Sequence, residues 1–342
     1  MTLDIHDFLQ LRRHLPVIDV RSEGEYDAGH IAGAHNLPIL NNAERKAVGT
    51  DYKQRGQQEA IRTGFRLVGP RLAQLVDDTV ALAGQTKEVL VHCWRGGMRS
   101  ANFCNFMEMA RLKTHQLNGG YKAYRQLAFD IFKQDYSLIV VGGATGSGKS
   151  EVLRALAGRG EQVLDLEDIA HHKGSVFGGL MMPPQPTTEQ FQNNLFEALA
   201  PLDRSRRIWV EDESIAVGKV FLPNDFWRQL RSGPIVEIDV DKERRVQRLV
   251  NEYGVAPREE FQEAMSKVAK KLGGQHYKAA LESLRAGNIS ATIDSLLTYY
   301  DKAYRNGLIQ RDNQIILRHH YDGVHVHELA DTLIGEMTAR IQ

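Results

Sequence analysis

Hydrophobic and polar positions along the chain fall into two βα rhythms, separated by a polar break at residues 134–137. In the first, the apolar runs Leu15–Val20, Glu88–Val91 and His115–Leu117 are too short for helices and read as buried strands. Between them, Arg71–Ala83 and Arg99–Leu112 carry apolar residues at helical spacing. The second rhythm starts with the run Leu138–Val141, passes through a glycine-rich loop into a helix from Lys149, and continues with strands at Gln162–Leu164, Ile208–Val210 and Pro234–Val240. After Asp241 the pattern turns mostly helical. Phe261, Met265, Val268 and Leu272 share one face before Gly273 and Gly274 stop that helix, and another helix runs over Ala291–Asn306. A strand at Gln314–Leu317 and a helix from Glu328, with Leu329, Leu333 and Met337 on one face, follow. Strands alternating with helices predict a parallel sheet covered on both faces. The expected fold is therefore α/β in two domains, residues 1–134 and 135–342, each a mostly parallel sheet flanked by helices, the second with a helical C-terminal part.

Composition adds bounds. A chain of 342 residues is long enough for two separate cores. With 42% hydrophobic and 25% charged residues, the balance is that of an ordinary soluble globular protein. Lys plus Arg and Asp plus Glu each total 43, so no global charge announces a nucleic-acid partner. Local basic clusters carry that signal instead. They are His171-His172-Lys173, Arg204 to Arg207, Arg244-Arg245-Arg248, Lys267-Lys270-Lys271 and Arg318-His319-His320, with Tyr299, Tyr300 and Tyr304 as candidates for stacking on bases. Each cluster taken alone is more often a solvated helix face. Two cysteines and no signal-peptide pattern make a reducing cytoplasm the expectation. No stretch approaches the roughly 20 apolar residues of a membrane span, and no Cys or carboxylate spacing completes a zinc motif around the histidines.

Two loops carry the chemistry. Cys93 ends an apolar run and opens His92-Cys93-Trp94-Arg95-Gly96-Gly97-Met98-Arg99-Ser100, where strand gives way to helix. Such a junction aims backbone N–H groups and a helix N-terminus at the sulfur, and arginine adds positive charge, so the thiolate and an anion beside it are both favoured. Cys93 is the candidate nucleophile, and Arg95, Gly96, Gly97, Arg99 and Ser100 form the candidate anion loop. Cys104, inside the following helix near Phe103 and Phe106, reads as core. Many sulfurtransferases place arginine five residues after the cysteine, whereas Cys93 and Arg99 are six apart. That spacing is also the signature of cysteine phosphatases, and the longer loop suits a tetrahedral oxyanion better than a lone sulfur.

The second loop, Gly143-Ala144-Thr145-Gly146-Ser147-Gly148-Lys149-Ser150, is a complete Walker A motif between a predicted strand and a predicted helix. Backbone N–H groups around Gly143, Gly146, Ser147 and Gly148 would wrap a diphosphate, Lys149 would reach its outer oxygens, and the Ser150 hydroxyl suits Mg²⁺. The apolar run ending in Glu211, Asp212 and Glu213 makes Glu211 the expected Walker B acid. Ser150 and Glu211 are thus the candidate Mg²⁺ ligands, with Asp165, Glu167 and Asp168 ranked below them.

The segments Asp19 to Tyr26 and Gly29 to Pro38, taken with the cysteine loop, resemble the rhodanese family over roughly the first 130 residues. In that setting Asp19 and Arg21 are expected to pin the framework. A rhodanese-like module followed by a P-loop NTPase-like module is an uncommon pairing. Together with Asn41 to Arg45, Val48 to Gln54, Gly119 to Ala123, Asp165 to Glu167, His172 to Gly178, Gln185-Pro186, Glu211 to Ser214 and Leu222-Pro223, it makes nearly the whole chain similar to the family of bacterial tRNA 2-selenouridine synthases. The resemblance implies a transferase that replaces the sulfur of a wobble 2-thiouridine in tRNA by selenium from selenophosphate. It implies an S-geranyl-2-thiouridine intermediate, made with geranyl diphosphate. By position, Cys93 matches the family's selenium-handling cysteine and Gly148, Lys149 and Ser150 its P-loop, where the diphosphate of geranyl diphosphate is expected. Its partners would be tRNA, selenophosphate and geranyl diphosphate, with no tightly bound cofactor and no membrane. The residues themselves leave another reading open, a sulfurtransferase or cysteine phosphatase fused to an ATP-dependent kinase-like domain.

Overall fold

A computed structural model of the chain describes residues 1–341. It divides into two units, Met1–Ile131 and Phe132 onward. In the first, strands β1 (Thr2–Leu3), β2 (Val17–Asp19), β3 (Ala34–Asn36), β4 (Glu88–His92) and β5 (Lys113–Leu117) form one sheet in the order β1-β5-β4-β2-β3. Every pairing in it is parallel. The central strand β4 buries Val89, Leu90 and Val91 completely, which is why it reads as a continuous apolar run rather than an alternating one. Helices Leu72–Ala83 and Met98–Met109 lie where the periodicity placed them, and Phe103, Cys104 and Met107 turn into the core beside Ile18 and Val91.

A helical pair, Asn42–Gln54 and Gln57–Val68, joins β3 to this scaffold and escaped the pattern reading. The first of the two has no buried residue, so it shows no apolar stripe. Its start was nonetheless written locally. Asn41 Oδ1 accepts the N–H of Glu44 at 2.9 Å while the Glu44 carboxylate accepts the N–H of Asn41 at 2.8 Å, a reciprocal capping box.

In the second unit, β6 (Leu138–Gly142), β7 (Gln162–Leu164), β8 (Ile208–Glu211), β11 (Ile235–Asp239) and β12 (Ile315–His320) form a parallel sheet in the order β12-β11-β6-β8-β7. The short strands β9 (Ala216–Val217) and β10 (Val220–Phe221) pair antiparallel beside it. The chain leaves β6 toward one edge of the sheet and later returns to its other side, so the C-terminal end of β6 is a topological switch point, where ligands bind in open α/β sheets. Helix Lys149–Ala157 springs from that point, and its Val152 and Leu156 pack in one core with Leu329, Leu333 and Met337 of helix Val326–Ile341.

The C-terminal helices build a second core around Phe177, Tyr253, Phe261, Met265, Leu284 and Leu297. The four residues Phe261, Met265, Val268 and Leu272 are all buried there, but not on one helix: Phe261 and Met265 lie on Arg258–Ser266, Leu272 on Ala269–Leu272, and Val268 at the junction between them. Gly273, at φ +87°, then turns the chain into helix Gly274–Arg285. Among the described residues no helix is long and apolar enough to cross a membrane.

Candidate functional site

The cysteine loop is assembled from four elements. Strand β4 delivers Cys93, which is buried, at its C-terminal end. Helix Met98–Met109 returns Ser100, whose hydroxyl lies 3.1 Å from Cys93 Sγ. From β5, Gln116 Nε2 donates to the Gly96 carbonyl at 2.7 Å and to Ser100 Oγ at 2.9 Å. The N–H groups of Tyr121 and Lys122 donate to the carbonyls of Cys93 and Trp94 at 2.8 and 2.9 Å, so the following helix is docked onto the loop by its own unsatisfied donors. Gly120 makes this approach possible. It sits at φ +58°, and a Cβ there would come within 2.4 Å of the Cys93 carbonyl.

These contacts set the charge state of the sulfur. Burial pushes the Cys93 thiol up, but hydrogen bonds from the Ser100 hydroxyl and from the backbone N–H groups of Ser100 and Arg95, with the nearby Arg99 charge, outweigh it and hold the thiol below its ordinary range. Cys104 shows the contrast, since burial raises its thiol in a core position. Arg95 is exposed and, with Arg99, Trp94 and Tyr52, lines the cavity over Cys93. The Arg99 guanidinium is gripped by Glu25 at 2.6 and 3.1 Å. Glu25 also accepts the N–H of Ser22 at 3.1 Å, and Arg99 holds its carboxyl below the usual range against the opposing effect of burial. Glu25 lies in the segment Asp19 to Tyr26 that carries the rhodanese resemblance, but nothing in the sequence assigns it a role, because Ser22-x-x-Glu25 has the spacing of a helix cap and its partner Arg99 is distant in the chain.

Below the site lies the pair expected to pin the framework. Asp19 and Arg21 are both wholly buried and 2.6 Å apart. Arg21 also donates to the Gly29 carbonyl at 2.7 Å and stacks 3.9 Å over the Tyr121 ring.

In the second unit, the loop after β6 carries Gly146 at φ +80° and Gly148 at φ +85°. Gly143 is needed for a different reason. A Cβ on it would lie 2.5 Å from Ser147 Oγ and 2.9 Å from the Ile238 carbonyl. Lys149 Nζ reaches back across the loop to the Gly143 carbonyl at 3.2 Å, and helix Lys149–Ala157 points its free N–H groups at the same spot. Ser147 is fully buried, and among the described residues its hydroxyl has no hydrogen-bond partner. Two arginines fix the loop from outside. Arg245 donates to the Thr145 carbonyl at 3.2 Å and pairs with Asp301 through both terminal nitrogens at 2.8 Å, and Arg248 donates to the Gly146 carbonyl at 3.1 Å. The loop walls a cavity of about 390 Å³ shared with Lys173, Glu167, Glu213, Tyr300 and Tyr304.

The acids around this cavity differ from the expected arrangement. Glu211 is wholly buried at the end of β8, accepts the Leu166 N–H at 2.9 Å and does not line the cavity. Burial, then the charges of Asp165 and Glu167, raise its carboxyl well above the ordinary range. The carboxylate that meets the Walker A serine is Glu167, which accepts the Ser150 hydroxyl at 2.8 Å. Glu213, buried beside it, is pushed up to about 8 by burial and by the Glu167 charge, with Lys149 opposing. The sequence signal for Glu167 was its place three residues beyond strand β7, the neighbour of β8, whose last residue is Glu211.

Much of the basic surface is already engaged. Arg207 forms a two-pronged pair with Glu161 at 2.6 and 2.7 Å, and Arg318 pairs with Glu237 at 2.8 Å. Tyr300 and Tyr304 face the phosphate-loop cavity, where the Tyr300 hydroxyl accepts the Val176 N–H at 2.9 Å.

Comparison with known proteins agrees with this geometry. Residues 4–127 match the model of the rhodanese-like domain, and residues 136–332 match that of the tRNA 2-selenouridine synthase AAA domain. Two relatives named tRNA 2-selenouridine synthase align along nearly their whole length. One, from Hydrogenovibrio crunogenus, is 32% identical over 91% of this chain and 94% of the relative. Another, from Serratia proteamaculans, is 33% identical over 90% of each. A third of the same name, from Nitrosomonas europaea, is 37% identical over 70% of this chain, and the matched part spans 63% of that relative's length. A thiolate-stabilising cysteine loop and a complete phosphate loop, carried by two domains in that order, place the chain in the tRNA 2-selenouridine synthase family.

Proposed function

We propose that the chain converts wobble 2-thiouridine in tRNA to 2-selenouridine in two steps, one for each loop. In the first, the thiocarbonyl sulfur attacks carbon 1 of geranyl diphosphate. The carbon–oxygen bond breaks with its electron pair leaving on diphosphate, and the base gives up its N3 proton. The Walker A loop supplies what that leaving group needs, namely oriented N–H groups, Lys149 and a helix N-terminus. In the second step the selenium of selenophosphate attacks carbon 2 of the S-geranyl base, the carbon–sulfur bond breaks, and the sulfur departs and is protonated as geranylthiol. Water then cleaves the phosphorus–selenium bond, releasing phosphate and the selenated base. Cys93, Arg95, Arg99 and the loop N–H groups form the selenophosphate end. A tRNA substrate places the reaction in the cytoplasm.

A hard cation fits beside the phosphate loop. The Ser150 hydroxyl is oriented by Glu167, and Mg²⁺ is commonly held by few protein oxygens together with substrate phosphates. When bound there it would neutralise charge on the diphosphate.

The observation that carries the reading is the presence on one chain of both an activated cysteine loop and an intact diphosphate cradle. Titration calorimetry tests it. Geranyl diphosphate should bind the full chain and fail to bind Lys149→Ala. Tight ATP binding without geranyl diphosphate binding would instead favour the kinase-like alternative.

A further inference from the structure

The cysteine loop has an apolar neighbour. A cavity of about 170 Å³ lies between the helical pair Asn42–Gln54 and Gln57–Val68 and helix Met98–Met109. Its walls include Val48, Ile61, Val68 and Phe106. Tyr52, Met98 and Arg99 line both this cavity and the one over Cys93, so the two adjoin each other. Three large apolar side chains at this cavity are more than half exposed, Tyr52 at 60%, Phe65 at 57% and Met98 at 51%. Exposing them together costs hydration free energy unless something apolar covers them.

Gly64 points the same way. It lies inside helix Gln57–Val68, where glycine costs about 1 kcal/mol relative to alanine. No backbone requirement accounts for it, because its φ is not positive and an added Cβ would meet nothing within 4 Å. What its missing side chain leaves is open space in the cavity wall.

We infer that this cavity holds the ten-carbon geranyl chain of the S-geranylated base while selenium is delivered at Cys93. The size and lining suit a hydrocarbon, since a dry apolar cavity of roughly 150 Å³ already binds benzene, and here the open mouth lets a longer chain extend. Adjacency to the Cys93 cavity puts the alkylated sulfur beside the anion loop, so the group that is held is also the group that departs. The inference rests on the reaction proposed above, but it can fail separately from it.

The test uses the full chain and two anticodon-stem hairpins that differ only in carrying S-geranyl- or S-methyl-2-thiouridine. Burying three to four methylene-sized groups at the ordinary transfer value corresponds to a preference on the order of 100-fold for the geranyl hairpin. Gly64→Leu fills the cavity with a better helix former. It should cut that preference to below about tenfold while leaving S-methyl affinity unchanged and the melting temperature no lower than that of wild type. A wild-type chain with no preference, or a preference that survives in Gly64→Leu, overturns the assignment. If the preference appears and is lost as expected but selenophosphate adds no selenium to the geranyl hairpin, the proposed reaction fails and the pocket stands.

Discussion

Ser100→Ala isolates the device that activates Cys93. The Ser100 hydroxyl lies 3.1 Å from Cys93 Sγ and also 3.1 Å from the Gly97 carbonyl, so its single proton has two acceptors. Gln116 Nε2 donates to the same oxygen at 2.9 Å, which fills an acceptor position and leaves the proton to be shared between sulfur and carbonyl. A charged acceptor wins that competition. A hydrogen bond to an ionised group is worth about 1.5–3 kcal/mol, and the alternative bond to Gly97 discounts the net loss to the lower end of that range. About 1.4 kcal/mol is a factor of ten in the ratio of thiolate to thiol. The ultraviolet absorbance of the thiolate, followed against pH with Cys93→Ser as the blank, reads that ratio directly. In Ser100→Ala the Cys93 titration should move to higher pH, with roughly tenfold less thiolate at any pH below the transition. The backbone N–H groups of Arg95 and Ser100 remain, so some stabilisation should survive. An unmoved titration curve would refute the account, because the sulfur would then owe its ionisation to burial-independent field effects rather than to this contact.

The acids of the second site and the frame of the first give two more tests. Glu167→Gln should weaken Mg²⁺-dependent diphosphate binding about 10- to 100-fold by calorimetry, the usual effect of losing the group that orients a metal ligand. Glu211→Gln, at a buried side chain that does not line the cavity, should change binding little, and the reverse ranking would restore Glu211 as the Walker B acid. Asp19→Ala leaves the Arg21 guanidinium buried without its carboxylate and should cost about 3–5 kcal/mol in urea unfolding. A cost below about 1 kcal/mol, the range of exposed pairs, would mean that water reaches the pair.

The sequence displayed its core strands and both chemical loops clearly, for a physical reason. Parallel strands buried on both faces must be continuous apolar runs, and loops that wrap anions must use glycine where side chains would collide, as at Gly120 and Gly143. What was hidden depended on partners distant in the chain. Helix Asn42–Gln54 has no apolar stripe because it buries no side chain, so only its cap betrays it. Glu25 reaches Arg99 from 74 residues away, and Gln116 reaches Ser100 from 16. The choice between Glu167 and Glu211 was also invisible, since both lie at the C-terminal ends of neighbouring strands and only the three-dimensional arrangement shows which one meets Ser150. The apolar cavity beside Cys93 belongs to the same class, being built where the helical pair meets a third helix.

The claim that the two loops run successive steps is tested most directly by nucleoside analysis of tRNA from cells whose only copy of this protein is wild type, Cys93→Ser or Lys149→Ala. Wild type should yield 2-selenouridine. Cys93→Ser should yield none and accumulate S-geranyl-2-thiouridine, and Lys149→Ala should retain unmodified 2-thiouridine with neither product. Undiminished 2-selenouridine in the Cys93→Ser cells would contradict the account.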